Sequence, residues 1–157
     1  MAIAIAGIPP AGASGSAASM PQEGLWTLNA ARSTLPVERR QTMWIIASSG
    51  DAFVFALAQS DGGQPIEVLH WAGKPDGVLR PVAGSALSMA VSPEPAGMRI
   101  EGRDGQGGRF EEHCALSEGG KRMRCEGTRF AASGAEAGRY VEDYDWAANP
   151  APLRPAR

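Results

Sequence analysis

Turn-forming clusters recur along this chain too often for long helices: Ser49-Gly50-Asp51, Asp61-Gly62-Gly63, Pro75-Asp76-Gly77, Pro93 to Gly97, Asp104 to Gly108 and Glu118-Gly119-Gly120-Lys121. Between them apolar and polar residues alternate, the period-two pattern of strands that bury one face. The 20 glycines and 12 prolines among 157 residues supply the breaks. Strands are expected near 24–29, 41–48, 52–59, 65–72, 78–82, 86–92, 98–103, 109–117, 122–130 and 139–146, with room for a single helical turn between Asn29 and Val37. Eight to ten short strands joined by tight turns describe an all-β, antiparallel up-and-down meander. Closing it into a barrel removes the edges that invite aggregation, and a two-sheet β-sandwich is the alternative.

Composition narrows the function classes. Fifteen basic against 17 acidic residues give a net charge of −2, which provides no basic field for nucleic acid. No apolar run reaches the roughly 20 residues of a membrane-spanning helix, so no integral membrane segment is expected. The length suits one domain. Residues 1–20 hold only small and apolar types and resemble the later part of a secretory signal without its basic start; the alternative is a disordered leader on a cytoplasmic protein that starts at Met1 or Met20. Residues 147–157 are Pro-rich and read as a flexible tail, leaving 21–146 as the folded domain.

The best-defined hairpin fixes a register. If Gly119 and Gly120 form its loop, paired residues sum to 239, and a four-residue loop from Glu118 to Lys121 keeps the same partners. Cys114 then faces Cys125, Leu116 faces Met123, Glu112 faces Gly127 and Phe110 faces Arg129 on one side of the sheet, with His113 opposite Glu126 on the other. The only two cysteines of the chain therefore meet across one hairpin. A disulfide there fits an oxidising compartment, and two buried thiols are the alternative.

Gly24-Leu25-Trp26-Thr27-Leu28-Asn29, followed by Ala30-Ala31-Arg32-Ser33, resembles the G-x-W-x-L-N-x-x-x-S opening of bacterial lipocalin-like β-barrel domains. The resemblance continues through Asp61 to Ile66, Asp76-Gly77, Pro81 to Gly84 and Ser117 to Lys121, and ends on the aromatic strand of Tyr140 and Tyr144. It implies a barrel architecture and export. It carries over no catalytic residue set, and the cysteine pair and Trp-rich strands depart from it.

Candidate ligand-binding residues concentrate between 42 and 72. A turn at Ser49-Gly50 places Trp44 opposite Phe55 and Ile46 opposite Phe53, so that one face carries Trp44, Ile46, Phe53, Phe55 and Leu57; such a face is either barrel core or the wall of a cavity. On the next strand one residue of register decides whether His70 or Trp71 joins that face. An imidazole there would serve as a general base or ligand contact, and elsewhere as a structural histidine. Glu112 and Arg129 fall diagonally adjacent, either buried together or turned outward as an exposed ion pair. In the last strand Tyr140, Glu142, Tyr144 and Trp146 share one face, expected to close the barrel against Trp26 with the acidic residues of the other face in water. A Tyr144 hydroxyl would also serve as an oxyanion donor. The two histidines have no metal-ligand spacing, and no P-loop, G-x-S-x-G or dinucleotide fingerprint is present, so neither metal nor cofactor is expected.

The reading that follows is a periplasmic or secreted barrel that binds a small apolar or aromatic molecule without catalysis, through Trp44, Phe53, Phe55, His70, Trp71, Arg129 and Tyr144. The alternative is a cofactor-independent isomerase, cyclase or lyase using His70, Glu112, Arg129 and Tyr144.

Overall fold

The computed structural model describes residues 22–35, 41–49, 52–61 and 64–148. The leader, most of the tail and the tips of the first two hairpins lie outside these residues. Ten antiparallel strands form one sheet: β1 Gly24–Leu28, β2 Gln41–Ser49, β3 Ala52–Asp61, β4 Gln64–Gly73, β5 Arg80–Pro81, β6 Ser88–Glu94, β7 Gly97–Arg103, β8 Arg109–Ser117, β9 Arg122–Phe130 and β10 Glu136–Ala148. A 3-10 turn at Ala30–Arg32 occupies the one stretch with room for it.

The strand order is β4-β3-β2-β1-β10-β9-β8-β7-β6-β5, so the two chain ends meet inside the sheet and its edges are β4 and β5. Trp26 pairs with Trp146 across β1 and β10, as expected of a closing last strand. The β4 and β5 edges approach each other at one isolated bridge, where the Ala83 N–H donates to the His70 carbonyl at 2.7 Å. The meander thus forms a nearly closed barrel whose thinnest seam lies mid-chain.

The β8–β9 register agrees with the sequence reading pair for pair, from Phe110 opposite Arg129 to Leu116 opposite Met123, across a four-residue loop from Glu118 to Lys121. That loop needs left-handed backbone at Gly119 and Gly120, with φ of 66° and 82°, which glycine adopts without steric cost. Cys114 and Cys125 form a disulfide, both sulfurs buried.

One register differs from expectation, and another decides a choice the sequence leaves open. In the first hairpin Ser49 pairs with Ala52, so Trp44 faces Leu57 and Ile46 faces Phe55. The expected turn at Ser49-Gly50 is therefore corrected, since Ser49 belongs to the paired strand. A shift of two residues between partners leaves every side chain on its expected face. In the second hairpin Phe55 pairs with Trp71 and Ala56 with His70, with an irregularity between Gln59 and Ser60. Trp71 therefore joins the inner face and His70 the outer one.

The interior has two unlike halves. At the end carrying the β2–β3, β4–β5, β6–β7 and β8–β9 loops it is filled by Trp26, Ile46, Phe53, Val91, Met98, Met123, Tyr144 and the disulfide. Trp26 is completely buried and its indole N–H donates to the Gln22 carbonyl at 2.8 Å. The other half holds a cavity.

Outside the barrel, Asp143 corrects the expectation that the acids of β10 stand in water. Its carboxylate is fully buried beneath Arg122 and Arg32, whose guanidinium groups donate to it at 2.6 Å and 2.8 Å. Its backbone N–H donates to the Ser33 hydroxyl at 2.9 Å, and the Asn29 amide and Arg32 reach Asp145. These bonds fasten residues 29–34 against β10. Burial alone would raise the Asp143 pKa, but the bonds from Arg122 and Arg32 outweigh it and hold it below the ordinary carboxylate value.

Candidate functional site

The cavity has a volume of about 190 Å³ and lies at the end of the barrel that carries the β3–β4, β5–β6, β7–β8 and β9–β10 loops. Its wall comes from both sides of the seam: Trp44, Phe55 and Leu57 from β2 and β3, Leu69 and Trp71 from β4, and Val82, Leu87 and Met89 around the β5–β6 turn. Strands β8, β9 and β10 complete it with Phe110, Glu112, Arg129, Tyr140 and Glu142. Most of this lining is hydrocarbon, which leaves water with few partners and favours an apolar occupant.

Alternation along the strands explains why these side chains converge. Glu112 follows Phe110 by two residues on β8, and Glu142 follows Tyr140 by two on β10, so all four point inward. The space persists because two strand positions facing it are glycines. A Cβ at Gly102 would come 2.0 Å from the Phe110 ring and one at Gly127 2.1 Å from the Tyr140 ring. Both rings therefore lie down against the sheet instead of reaching the barrel axis. Trp71 and Phe55 meet edge to face at 5.2 Å, and the Trp71 N–H donates to the Met89 carbonyl at 2.9 Å, which ties β4 to β6 across the seam.

The polar groups are arranged by depth. Arg129 is exposed at the rim, its guanidinium carbon 5.4 Å from the centre of the Tyr140 ring. Glu112 and Glu142 are 3% and 2% exposed. Tyr144, one step further in, is completely buried and donates its hydroxyl to Glu142 at 2.6 Å. Trp44 packs its ring 5.4 Å from that of Tyr144. The Glu112 carboxylate and both disulfide sulfurs lie within 4.8 Å of one another, so the crosslink abuts the cavity wall.

Of the residues singled out from sequence, Trp44, Phe55, Trp71, Glu112 and Arg129 line the cavity. Phe53 and Tyr144 belong to the packed half, with Tyr144 set behind the cavity residues Trp44 and Glu142. The His70 side chain is exposed on the outer face. His113 stands opposite Glu126 as expected, but its Nδ1 lies 3.0 Å from Glu94, while the Glu126 carboxylate takes Arg124. Sequence reasoning did not single out Leu69, Val82, Leu87 or Met89; the signal available was their apolar alternation on strands flanking a seam that only the sheet order reveals.

No protein-family model and no curated protein matches this chain. No helix among the described residues is long and apolar enough to cross a membrane.

Proposed function

We propose that this chain is an exported lipocalin-like binding protein that takes one small apolar or aromatic molecule into the open half of its barrel, without catalysis. The observation that carries this reading is the cavity itself, a recess walled by Trp44, Phe55, Leu69, Trp71, Leu87, Met89 and Phe110 in a barrel whose other half is filled. Its volume sets the scale of the ligand. A cavity of about 150 Å³ lined by aliphatic and aromatic side chains accepts benzene, so 190 Å³ suits a single substituted ring better than a drug-sized molecule. Affinity would come from removing apolar surface from water at roughly 25 cal/mol per Å². Export is supported by the Cys114–Cys125 disulfide, a bond that persists in oxidising compartments. The acid/base alternative keeps Glu112 but loses His70, which faces away from the cavity.

Titration with toluene, followed by calorimetry and by the melting temperature, tests the reading. Saturable binding with a raised melting temperature is expected, because a ligand that binds only the folded state stabilises it. Leu87→Trp, which places a larger ring in the wall, should abolish binding while the protein stays folded. Absence of saturable binding by the wild-type chain to toluene and its ring-substituted analogues would overturn the proposal.

A further inference from the structure

We propose that the occupant of the cavity carries a carbonyl group on its ring, an aryl ketone or aldehyde whose oxygen accepts a hydrogen bond from the indole N–H of Trp44. This rests on the binding reading above and specifies the ligand's polar group.

The first argument is an account of the indoles. Trp26 donates its N–H to the Gln22 carbonyl at 2.8 Å, and Trp71 donates to the Met89 carbonyl at 2.9 Å. Trp44, on the cavity wall, differs: its indole nitrogen is buried and has no hydrogen-bond partner among the described residues. Buried polar groups are almost always paired, so this exception calls for a partner from outside the chain. An indole nitrogen only donates, and that partner is therefore an acceptor.

The second argument is the surroundings of the ring. Trp44 lies level with Trp26 of β1 and Leu57 of β3, neither of which offers a side-chain acceptor. Strand β2 is paired on both sides, which commits its backbone carbonyls to the two ladders. The Tyr144 ring lies 5.4 Å from that of Trp44, but its hydroxyl is turned to Glu142, to which it donates at 2.6 Å. Trp44 also borders the cavity, and a molecule seated there can supply the acceptor.

The third argument is charge and size. One neutral donor, set among Phe55, Leu57, Leu69 and Trp71, does not replace the hydration that an ionised ligand group would lose on entry. A carbonyl oxygen gives up far less. The N–H it meets has already been desolvated in the free protein, so the hydrogen bond formed on binding adds to affinity. A single ring bearing one carbonyl also stays within the scale set by a volume of about 190 Å³.

Calorimetry on the full chain, comparing acetophenone with isopropenylbenzene, tests this. The two have the same shape, with a CH₂ group in the hydrocarbon where the ketone has its oxygen. Trp44→Phe keeps an aromatic wall and removes the N–H. It should lower the ratio of acetophenone to isopropenylbenzene affinity about tenfold from its wild-type value, the scale of one hydrogen bond to a buried donor. A second measurement needs only the wild-type protein: one of its four indole N–H proton signals should move downfield with acetophenone and not with isopropenylbenzene. It decides the matter if the variant fails to fold. An unchanged ratio, or indole signals that respond alike to both probes, would overturn the carbonyl assignment while leaving an apolar binding site in place. Silence from both probes and from toluene would overturn both proposals.

Discussion

The two halves of this barrel are built from the same strands with the same alternation, yet one is solid and the other hollow. In the solid half Trp26, Met98, Met123 and Tyr144 are all completely buried. In the hollow half Gly102 and Gly127 let the Phe110 and Tyr140 rings lie flat on the sheet, and the axis stays empty. Glycine beneath the Phe110 and Tyr140 rings is thus what leaves room in the hollow half. The hollow half is also where the sheet is weakest, since the β4–β5 seam is bridged at His70 and Ala83 and braced by the Trp71 hydrogen bond to Met89. Stability is expected to reside in one half and binding in the other.

The sharpest way to break that division is to truncate one residue in each half. Trp26→Ala removes a fully buried indole and its hydrogen bond to Gln22, and should cost about 3–5 kcal/mol in denaturant unfolding. Leu87→Ala trims a partly buried side chain that already borders empty space, and should cost about 1 kcal/mol while widening the cavity for larger rings. Similar losses from the two would erase the distinction between core and container.

Removal of the crosslink is expected to rank next. Cys114 and Cys125 are 11 residues apart in sequence, and closing so short a loop restricts the unfolded chain by about 3 kcal/mol. Cys114→Ala with Cys125→Ala should lower the urea midpoint accordingly. Because the sulfurs lie on the packed side of Glu112, affinity for toluene should change far less than stability. An unchanged midpoint would show that the bond adds nothing to the fold.

Much of this fold could be read in the residues because local chemistry dictated it. Gly119-Gly120 fixes one loop, one loop fixes a register, and the register brings the two cysteines together without any long-range information. The first two hairpins were less legible. Ser49-Gly50-Asp51 and Asp61-Gly62-Gly63 each admit more than one turn, and a single residue there moves His70 between faces, the choice on which its candidacy turned. The cavity was only half legible: alternation grouped Trp44 with Phe55 and Glu112 with Arg129, but the wall contributed by Val82, Leu87 and Met89 depends on β4 meeting β5 and β6 across a seam that no turn encodes. Asp143 was misjudged for a related reason. An acid on the outer face of a last strand reads as solvated until residues 29–34 fold back over it.

That outer fastening gives the smallest of the expected effects, and it tests whether the two halves share one wall. Asp143 lies between the inward residues Glu142 and Tyr144, one in each half, so the bonds from Arg122 and Arg32 brace both. Because its folded pKa is held below the ordinary carboxylate value, the stabilisation is present above the unfolded pKa of about 3.9 and is lost as pH falls through the lower folded value. Asp143→Asn keeps the shape and removes the charge, and should cost about 2 kcal/mol at neutral pH. The wild-type and variant unfolding curves should converge as the solution is acidified below pH about 3.9. A gap that stayed constant with pH would mean that the side chain acts through packing alone. A variant that lost toluene affinity out of proportion to stability would show that the fastening shapes the cavity as well as the fold.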